Sequence, residues 1–245
     1  MFMLFKIFTL SLLVGICTSS AMAQDVFTIS TSYQNLLSND GKEGLLDRVL
    51  TEAFRRIGIE VDIVYTPTEK SLLDVNAGIL DAEINRVAGM ELQYPDLRRV
   101  VEPNMTMEFV AFARRSIVIN GWESLSKLDV GLVKGWKIFE ANTESFPGVV
   151  KVPTEVELFT MLRKGRIDVA LYDLLTGYVV LRDLGIEGVF HLEPPLARRD
   201  MFLYVHKKHE GLLDDLALAL RAMKADGMYG RIEAEVRSAN GLPNR

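Results

Sequence analysis

Thr66-Pro67-Thr68-Glu69 opens an apolar stretch that halts at Gly78 and runs into Ile79-Leu80-Asp81-Ala82-Glu83-Ile84. The same phrase returns downstream, where Val152-Pro153-Thr154-Glu155 opens a stretch that halts at Gly165 and runs into Arg166-Ile167-Asp168-Val169-Ala170-Leu171-Tyr172-Asp173. From Glu to Gly is nine positions in the first copy and ten in the second, and Gly-x-x-Asp follows in both. Apolar residues at helical spacing, a glycine stop and a short β-prone run describe a helix that feeds a strand. Two such units predict two βαβ lobes built alike, and a cleft between hinged lobes is a place for a small ligand.

Working outward from the first copy, Phe27-Thr28-Ile29-Ser30-Thr31 alternates like a half-buried strand and leads into a polar loop from Tyr33 to Lys42. Leu45, Leu46, Val49, Leu50, Ala53, Phe54 and Ile57 recur at helical spacing, with Gly58 just past the end. Val61 to Tyr65 reads as a second strand, Thr68 or Ser71 as the N-cap of the next helix, and Ala82-Glu83-Ile84 as a third strand. This alternation implies parallel pairing with right-handed crossovers.

The second copy repeats the order, with strands at Val130–Val133, Val149–Val152 and Val169–Leu171, a loop and helix start over Gly135–Asn142, and a helix over Glu155–Lys164. Glu108 to Ala113 and Met201 to Val205 read as extended crossings between the lobes. Lys207-Lys208, flanked by His206 and His209, reads as a solvated turn before a helix from Leu212 to Ala225, and Tyr229 to Val236 as a last helix. The expected division is residues 24–110 with 206–245 in lobe one and 111–205 in lobe two. A chain tethered by two crossings suits a hinge.

The ends and the composition narrow the setting. Met1 to Lys6 carries one positive charge, Ile7 to Cys17 is apolar, and Ala21-Met22-Ala23 is a small-x-small cleavage pattern. Residues 1–23 therefore read as a signal peptide and place the rest in the periplasm. Val14-Gly15-Ile16-Cys17 loosely resembles a lipobox, with Ile16 too large for its position. Cys17 is the single cysteine, so a chain cut after Ala23 has no disulfide, thiolate nucleophile or cysteine metal site. The net charge of −5 and the lack of a basic block argue against nucleic acid. The histidines, His191, His206 and His209, have no carboxylates at metal-ligand spacing, and no phosphate-cradling glycine loop or Gly-x-Ser-x-Gly occurs.

Four stretches carry a family resemblance: Gly44 to Gly58, Ala77-Gly78-Ile79-Leu80-Asp81, Lys164-Gly165-Arg166-Ile167-Asp168, and Leu216 to Tyr229 with its Ala225-Asp226-Gly227-Met228-Tyr229 ending. In their order and spacing the chain resembles the extracellular solute-binding proteins of polar amino acid transporters. The resemblance implies an α/β, two-lobed type II periplasmic binding protein-like fold with two hinge crossings. It also implies a site in which an Arg and backbone N–H groups meet a carboxylate, while an acidic residue past the second Gly-x-x-Asp meets an ammonium. Asp173 matches the acidic position; Gln93 stands where the family Arg belongs, so the usual carboxylate clamp is missing from its usual place.

Arg86, five residues past Asp81, is the replacement candidate, because its planar fork suits a carboxylate and strand ends of open α/β sheets face ligands. Its alternative is an ion pair with Glu83 or Asp81. Asn85 is an amide contact or a turn cap, and Asp173 a cation or hydroxyl acceptor or an N-cap for the helix from Leu174. Tyr33 offers an aromatic wall, and Trp136 with Lys137 an anion-binding loop or lobe-two core. Glu69, beside Lys70, belongs to the cleft rim or answers the helix dipole. Met90, Met105 and Met107 read as packing.

The implied function is a non-catalytic, monomeric periplasmic receptor that closes on a small polar solute, anionic or zwitterionic, and presents it to an ABC-type permease, with no cofactor and no metal. A ligand sensor for a membrane signalling protein is one alternative. The other is a dehydratase-like enzyme on the same fold, with Asp173 or Glu69 as acid or base.

Overall fold

The structure, a computed structural model, describes residues 26–242. The leader expected over 1–23, with Cys17, lies outside the described residues. In chain order, β1 (Phe27–Thr31), α1 (Leu45–Arg56), β2 (Val61–Tyr65), α2 (Thr68–Asn76) and β3 (Ala82–Arg86) build the first half. β1 sits between β2 and β3, parallel to both. β4 (Leu97–Arg99) and β5 (Met105–Ala113) follow. Then come β6 (Val130–Val133), α3 (Lys137–Asn142), β7 (Val149–Val152), α4 (Glu155–Arg163), β8 (Val169–Asp173) and α5 (Leu174–Asp183). β6 sits between β7 and β8, again parallel to both. β9 (Phe190–His191), β10 (Ala197–His206), α6 (Leu213–Ala225) and α7 (Met228–Ala239) complete the described chain.

The strand order β2-β1-β3-β10-β5-β8-β6-β7 has the same parallel triplet at each end and two long antiparallel strands between them. β10 changes partners along its length: Ala197 to Met201 pair with β5, and Phe202 to His206 pair with β3 and β4. β5 pairs in turn with β8. Two lobes are thus joined through two adjacent strands. On the first lobe, α1 packs with α6 and α7. Its apolar stripe of Leu45, Leu46, Val49, Leu50, Ala53 and Phe54 is fully screened, and Asp47 in the first turn and Arg55 and Arg56 in the last complement the helix dipole.

The repeated Gly-x-x-Asp has a structural reason. Gly78 and Gly165 both end their helices in the left-handed region, at φ of 73° and 67°. Each following Asp then ties the entry of its strand to the central strand of its triplet. Asp81 Oδ2 accepts from the Thr28 backbone N–H at 2.8 Å and from the Thr28 hydroxyl at 2.9 Å. Asp168 Oδ2 accepts from the Asp129 backbone N–H, just ahead of β6, at 3.1 Å. Charge-assisted bonds to backbone donors hold the strand starts in line.

Two sequence expectations need correction, and a third gains a partner. α2 begins at Thr68 behind an N-cap at Pro67 with no side-chain cap bond, and Ser71 is interior to the helix and buried. The Ser71 hydroxyl serves a buried carboxylate on β3 instead of the helix end. Lys207 and Lys208 are exposed in their turn as expected, but the turn is also fastened: Asp81 Oδ1 binds His209 Nε2 at 2.7 Å and Lys208 Nζ at 2.7 Å, and the buried His206 ring lies against Gly78. Burial opposes ionisation of Asp81, but the bonds from Lys208, Thr28 and His209 outweigh it and hold the carboxyl well below the usual range. β3 and β8 each also run two residues further than expected, which carries Asn85, Arg86 and Asp173 into the strands.

Gly78 tests this joint. A β-carbon there would sit 3.0 Å from the His206 ring, and an L-residue in the left-handed region costs about 1–2 kcal/mol. Gly78→Ala is expected to lower unfolding free energy in urea by at least that amount; wild-type stability in the variant would contradict it.

Candidate ligand site

Side chains alternate along β3, so Ala82 and Ile84 enter the core while Glu83 and Asn85 share the other face. Glu83 is fully buried. Its Oε1 lies 2.8 Å from Arg86 Nη2, and its Oε2 accepts a hydrogen bond from the Ser71 hydroxyl, which stands 2.7 Å from the Ser30 hydroxyl on β1. Burial pushes the Glu83 carboxyl up to about 7, with the Arg86 charge and hydrogen bond opposing the shift. The ion-pair alternative for Arg86 is therefore the arrangement seen. The Arg86 side chain keeps 17 % of its surface exposed, with its Nε buried.

Asn85 is 1 % exposed. Its Nδ2 donates to the Tyr33 hydroxyl at 3.2 Å and rests 3.6 Å and 3.9 Å from the sulfurs of Met105 and Met107 on β5. Its Oδ1 is buried and has no hydrogen-bond partner among the described residues. An acceptor left in that state costs about 1–3 kcal/mol. Tyr33 is positioned from the end of β1, where its N–H donates to Thr31 Oγ1 at 3.1 Å. Burial raises the Tyr33 phenol above its ordinary value against the Asn85 hydrogen bond, and the charges of Arg86, Glu83 and Asp173 all reach it.

That last influence crosses from the other lobe. Asp173, at the end of β8, is 3 % exposed and caps α5: Oδ1 accepts from the Thr176 N–H at 2.9 Å and Oδ2 from the Thr176 hydroxyl. Burial pushes its carboxyl up, and the Thr176 bonds work the other way. Next to it Tyr172 meets Trp136 at 4.7 Å, and Trp136 stacks on Phe139 at 5.4 Å. Trp136 is thus part of the lobe-two aromatic core.

The structure therefore gathers Tyr33, Asn85, Arg86 and Asp173, and it does not gather Lys137. The Lys137 side chain is 86 % exposed and paired with Glu140 at 2.9 Å. The side chain of Glu69 lies outside the described part; Lys70 beside it pairs with Asp74 on an exposed face of α2. Gln93 is exposed at the end of a short 3-10 turn.

A cavity of about 340 Å³ between the lobes is walled by Met105, Met107, Asp173, Leu175, Tyr229 and Arg237; of the gathered residues Asp173 lines it, and Asn85 reaches its wall through Met105 and Met107. That is the size of a small-metabolite site. A wider space of about 720 Å³ separates the loop at Asn35–Gly44 from α5 and α7. Sequence reasoning named Glu83 only as a structural partner for Arg86 and missed its contacts with Ser71 and Ser30, and it read Met105 and Met107 as packing alone. The available signal was Glu83 itself, a carboxylate two positions from Asn85 inside an apolar strand and therefore on the same face. Among the described residues no cluster of three metal-ligating side chains occurs, and no helix is long and apolar enough to cross a membrane.

No protein-family model matches the sequence. An uncharacterized protein of Shewanella oneidensis is 20 % identical over 205 residues, covering 78 % of this chain and 75 % of its own. Among solved structures, a histidine kinase sensor domain with similarity to periplasmic binding proteins superposes with a TM-score of 0.70 at 17 % identity, over 86 % of this chain and 95 % of its own. The arginine-, lysine-, histidine-binding protein ArtJ of Geobacillus stearothermophilus superposes with a TM-score of 0.67 at 15 % identity, over 86 % and 94 %. At these identities the likeness is one of fold, and the fold is that of the two-lobed periplasmic binding proteins.

Glu83 makes the site's burial measurable. Its folded value near 7 lies above the ordinary 4.5, so the folded state holds the proton across that window. The stability this confers is complete below pH 4.5 and is lost as pH rises to about 7, a change of about 3 kcal/mol. Asp47 and Asp173 shift in the same direction, so the difference from Glu83→Gln isolates the residue. Urea unfolding at pH 4.5 and 8 should show a fall in stability for wild type that is smaller by about that amount in the variant; equal falls would contradict it.

Proposed function

We propose that the chain is a periplasmic receptor that closes on a small polar solute, anionic or zwitterionic, and presents it to an ABC-type membrane permease. The observation that carries this reading is the gathering of Tyr33, Asn85 and Arg86 from one lobe with Asp173 from the other, where Asp173 lines a cavity of about 340 Å³ at the hinge strand. The ligand completes a polar set drawn from both lobes. It therefore binds the closed form better than the open one and shifts the population toward closure, and the closed surface is what the membrane partner recognises. The Asn85 Oδ1 takes an N–H or O–H of the solute, and the Arg86 fork takes its anionic group.

Catalysis is not part of the proposal. Asp173, the carboxylate best placed for acid–base work, accepts two bonds from Thr176 as a helix cap. ArtJ, which shares the fold, is a binding protein. One observation favours a second reading, a sensor for a membrane signalling protein. A histidine kinase sensor domain shares the fold over 95 % of its length.

The test is a thermal-shift screen of the twenty amino acids and the C2 to C6 mono- and dicarboxylates, because a compound that binds only the folded form raises Tm by mass action. Calorimetry of the best compound on Arg86→Lys follows. Lysine keeps a countercharge for Glu83 and loses the bidentate fork, so affinity should fall by about tenfold or more. Unchanged affinity would remove Arg86 from the site.

A further inference from the structure

Glu83 stands where a ligand's anionic group would need to go. It is fully buried, its Oε1 engages Arg86 at 2.8 Å, and it shares a face of β3 with Asn85, whose buried Oδ1 awaits a donor. Arg86 is thus already countered from inside the lobe. With Glu83, Arg86 and Asp173 all ionised the cluster carries one net negative charge, and a solute carboxylate would add a second in a desolvated space. Two carboxylates held at one guanidinium cannot both stay ionised without a large penalty.

We infer that Glu83 is the specificity-determining residue of this cleft: it is an internal counter-ion that a solute carboxylate displaces from Arg86, and it takes up one proton as it leaves. The balance is simple. The Glu83–Arg86 ion pair breaks, the Arg86–solute pair forms, and one proton moves from solvent to Glu83, so the cluster's charge is unchanged by an anionic guest. The surroundings suit both states of the carboxyl. Ser71, joined to Ser30, donates to the carboxylate now, and a hydroxyl is equally able to accept from a neutral carboxylic acid once it rotates.

The charged and titratable groups about Glu83 leave it as the proton acceptor. On its own strand the partner is Arg86. From β1 and α2 the facing groups are the hydroxyls of Ser30 and Ser71; among the described side chains of α2 the charges of Lys70 and Asp74 pair with each other. From the loop after β1 comes Tyr33, whose phenol is raised by burial and stays protonated. From β10 comes Tyr204, opposite Glu83 in the ladder, whose hydroxyl is bound to Val87 O and Glu91. Asp173 acts from across the cleft and is held by Thr176. With its buried carboxyl already near 7, Glu83 gains a proton at little cost at neutral pH.

This inference rests on the receptor reading and names the solute class that the site would take: a small carboxylate that also carries an N–H or O–H for Asn85. It also makes the binding of that class proton-linked, whereas a neutral or cationic solute would bind without the proton. The experiment is calorimetry at pH 6 to 9 with whichever amino acid or carboxylate of the thermal-shift set gives the largest Tm rise, on wild type and Glu83→Gln. Wild-type affinity should be flat below about pH 7 and fall about tenfold per pH unit above it, while the Gln variant binds the same compound with affinity independent of pH. Titrations of wild type at pH 8.5 in two buffers of different ionisation enthalpy should show close to one proton taken up, a measurement that does not depend on the variant folding.

Parallel pH profiles in the two proteins, or no proton uptake, would overturn the inference. If amines and sugars added to the same screen stabilise both proteins and no carboxylate does, the inference falls together with the anionic solute class, and a receptor for another polar solute stands. If nothing in the set raises Tm of either, both fall.

Discussion

The pairing of β5 with β10 is the constraint on which the rest of the molecule depends. β10 gives one half of its length to β5 and the other to β3 and β4, and β5 gives its far end to β8. Each lobe's parallel triplet is therefore hydrogen-bonded to a strand that also belongs to the other lobe. The lobes cannot separate without breaking ladder bonds, yet they can bend where the partner changes, between Met201 and Phe202. The same strand supplies the methionine sulfurs against which Asn85 rests. Hinge and site are thus built from one element.

Around that hinge the duplicated unit does two separable jobs. The Gly-x-x-Asp pair is scaffold: two left-handed glycines end two helices, and two carboxylates fasten strand starts to backbone donors of the neighbouring strand. The residues just beyond each Asp differ between the copies. Lobe one places a buried Glu83–Arg86 pair and an amide there, and lobe two a capped Asp173 above an aromatic floor of Tyr172 and Trp136.

The fold was largely legible because its signals are local. Leu45 to Phe54 declares a helix by its period, the glycine stops declare helix ends, and the repeated phrase declares the second lobe from the first. The positions of Asn85, Arg86 and Asp173 could be named because strand ends in such sheets face a cleft. What could not be read is which polar groups spend their bonds on one another. Ser71 turns from the helix end to Glu83, His209 turns from solvent to Asp81, and Lys137 turns from the cleft to Glu140. Each choice is decided by a partner distant in the chain or by exposure, neither of which spacing encodes. Glu83 was named only as a structural partner of Arg86 for the same reason: its weight comes from complete burial beneath α2, not from its neighbours in sequence.

Closure of the two lobes on a solute is the central claim, and the distance across the cleft tests it most directly. Lys70 and Lys137 are exposed at the starts of α2 and α3, one on each lobe, and Cys17 is the single native cysteine. Spin labels at Lys70→Cys and Lys137→Cys in a Cys17→Ser background report the separation by pulsed electron resonance. The account predicts a mixture of longer and shorter separations without solute and a collapse onto the shorter one when a compound that raises Tm is added. A distance distribution that such a compound leaves unchanged would contradict it.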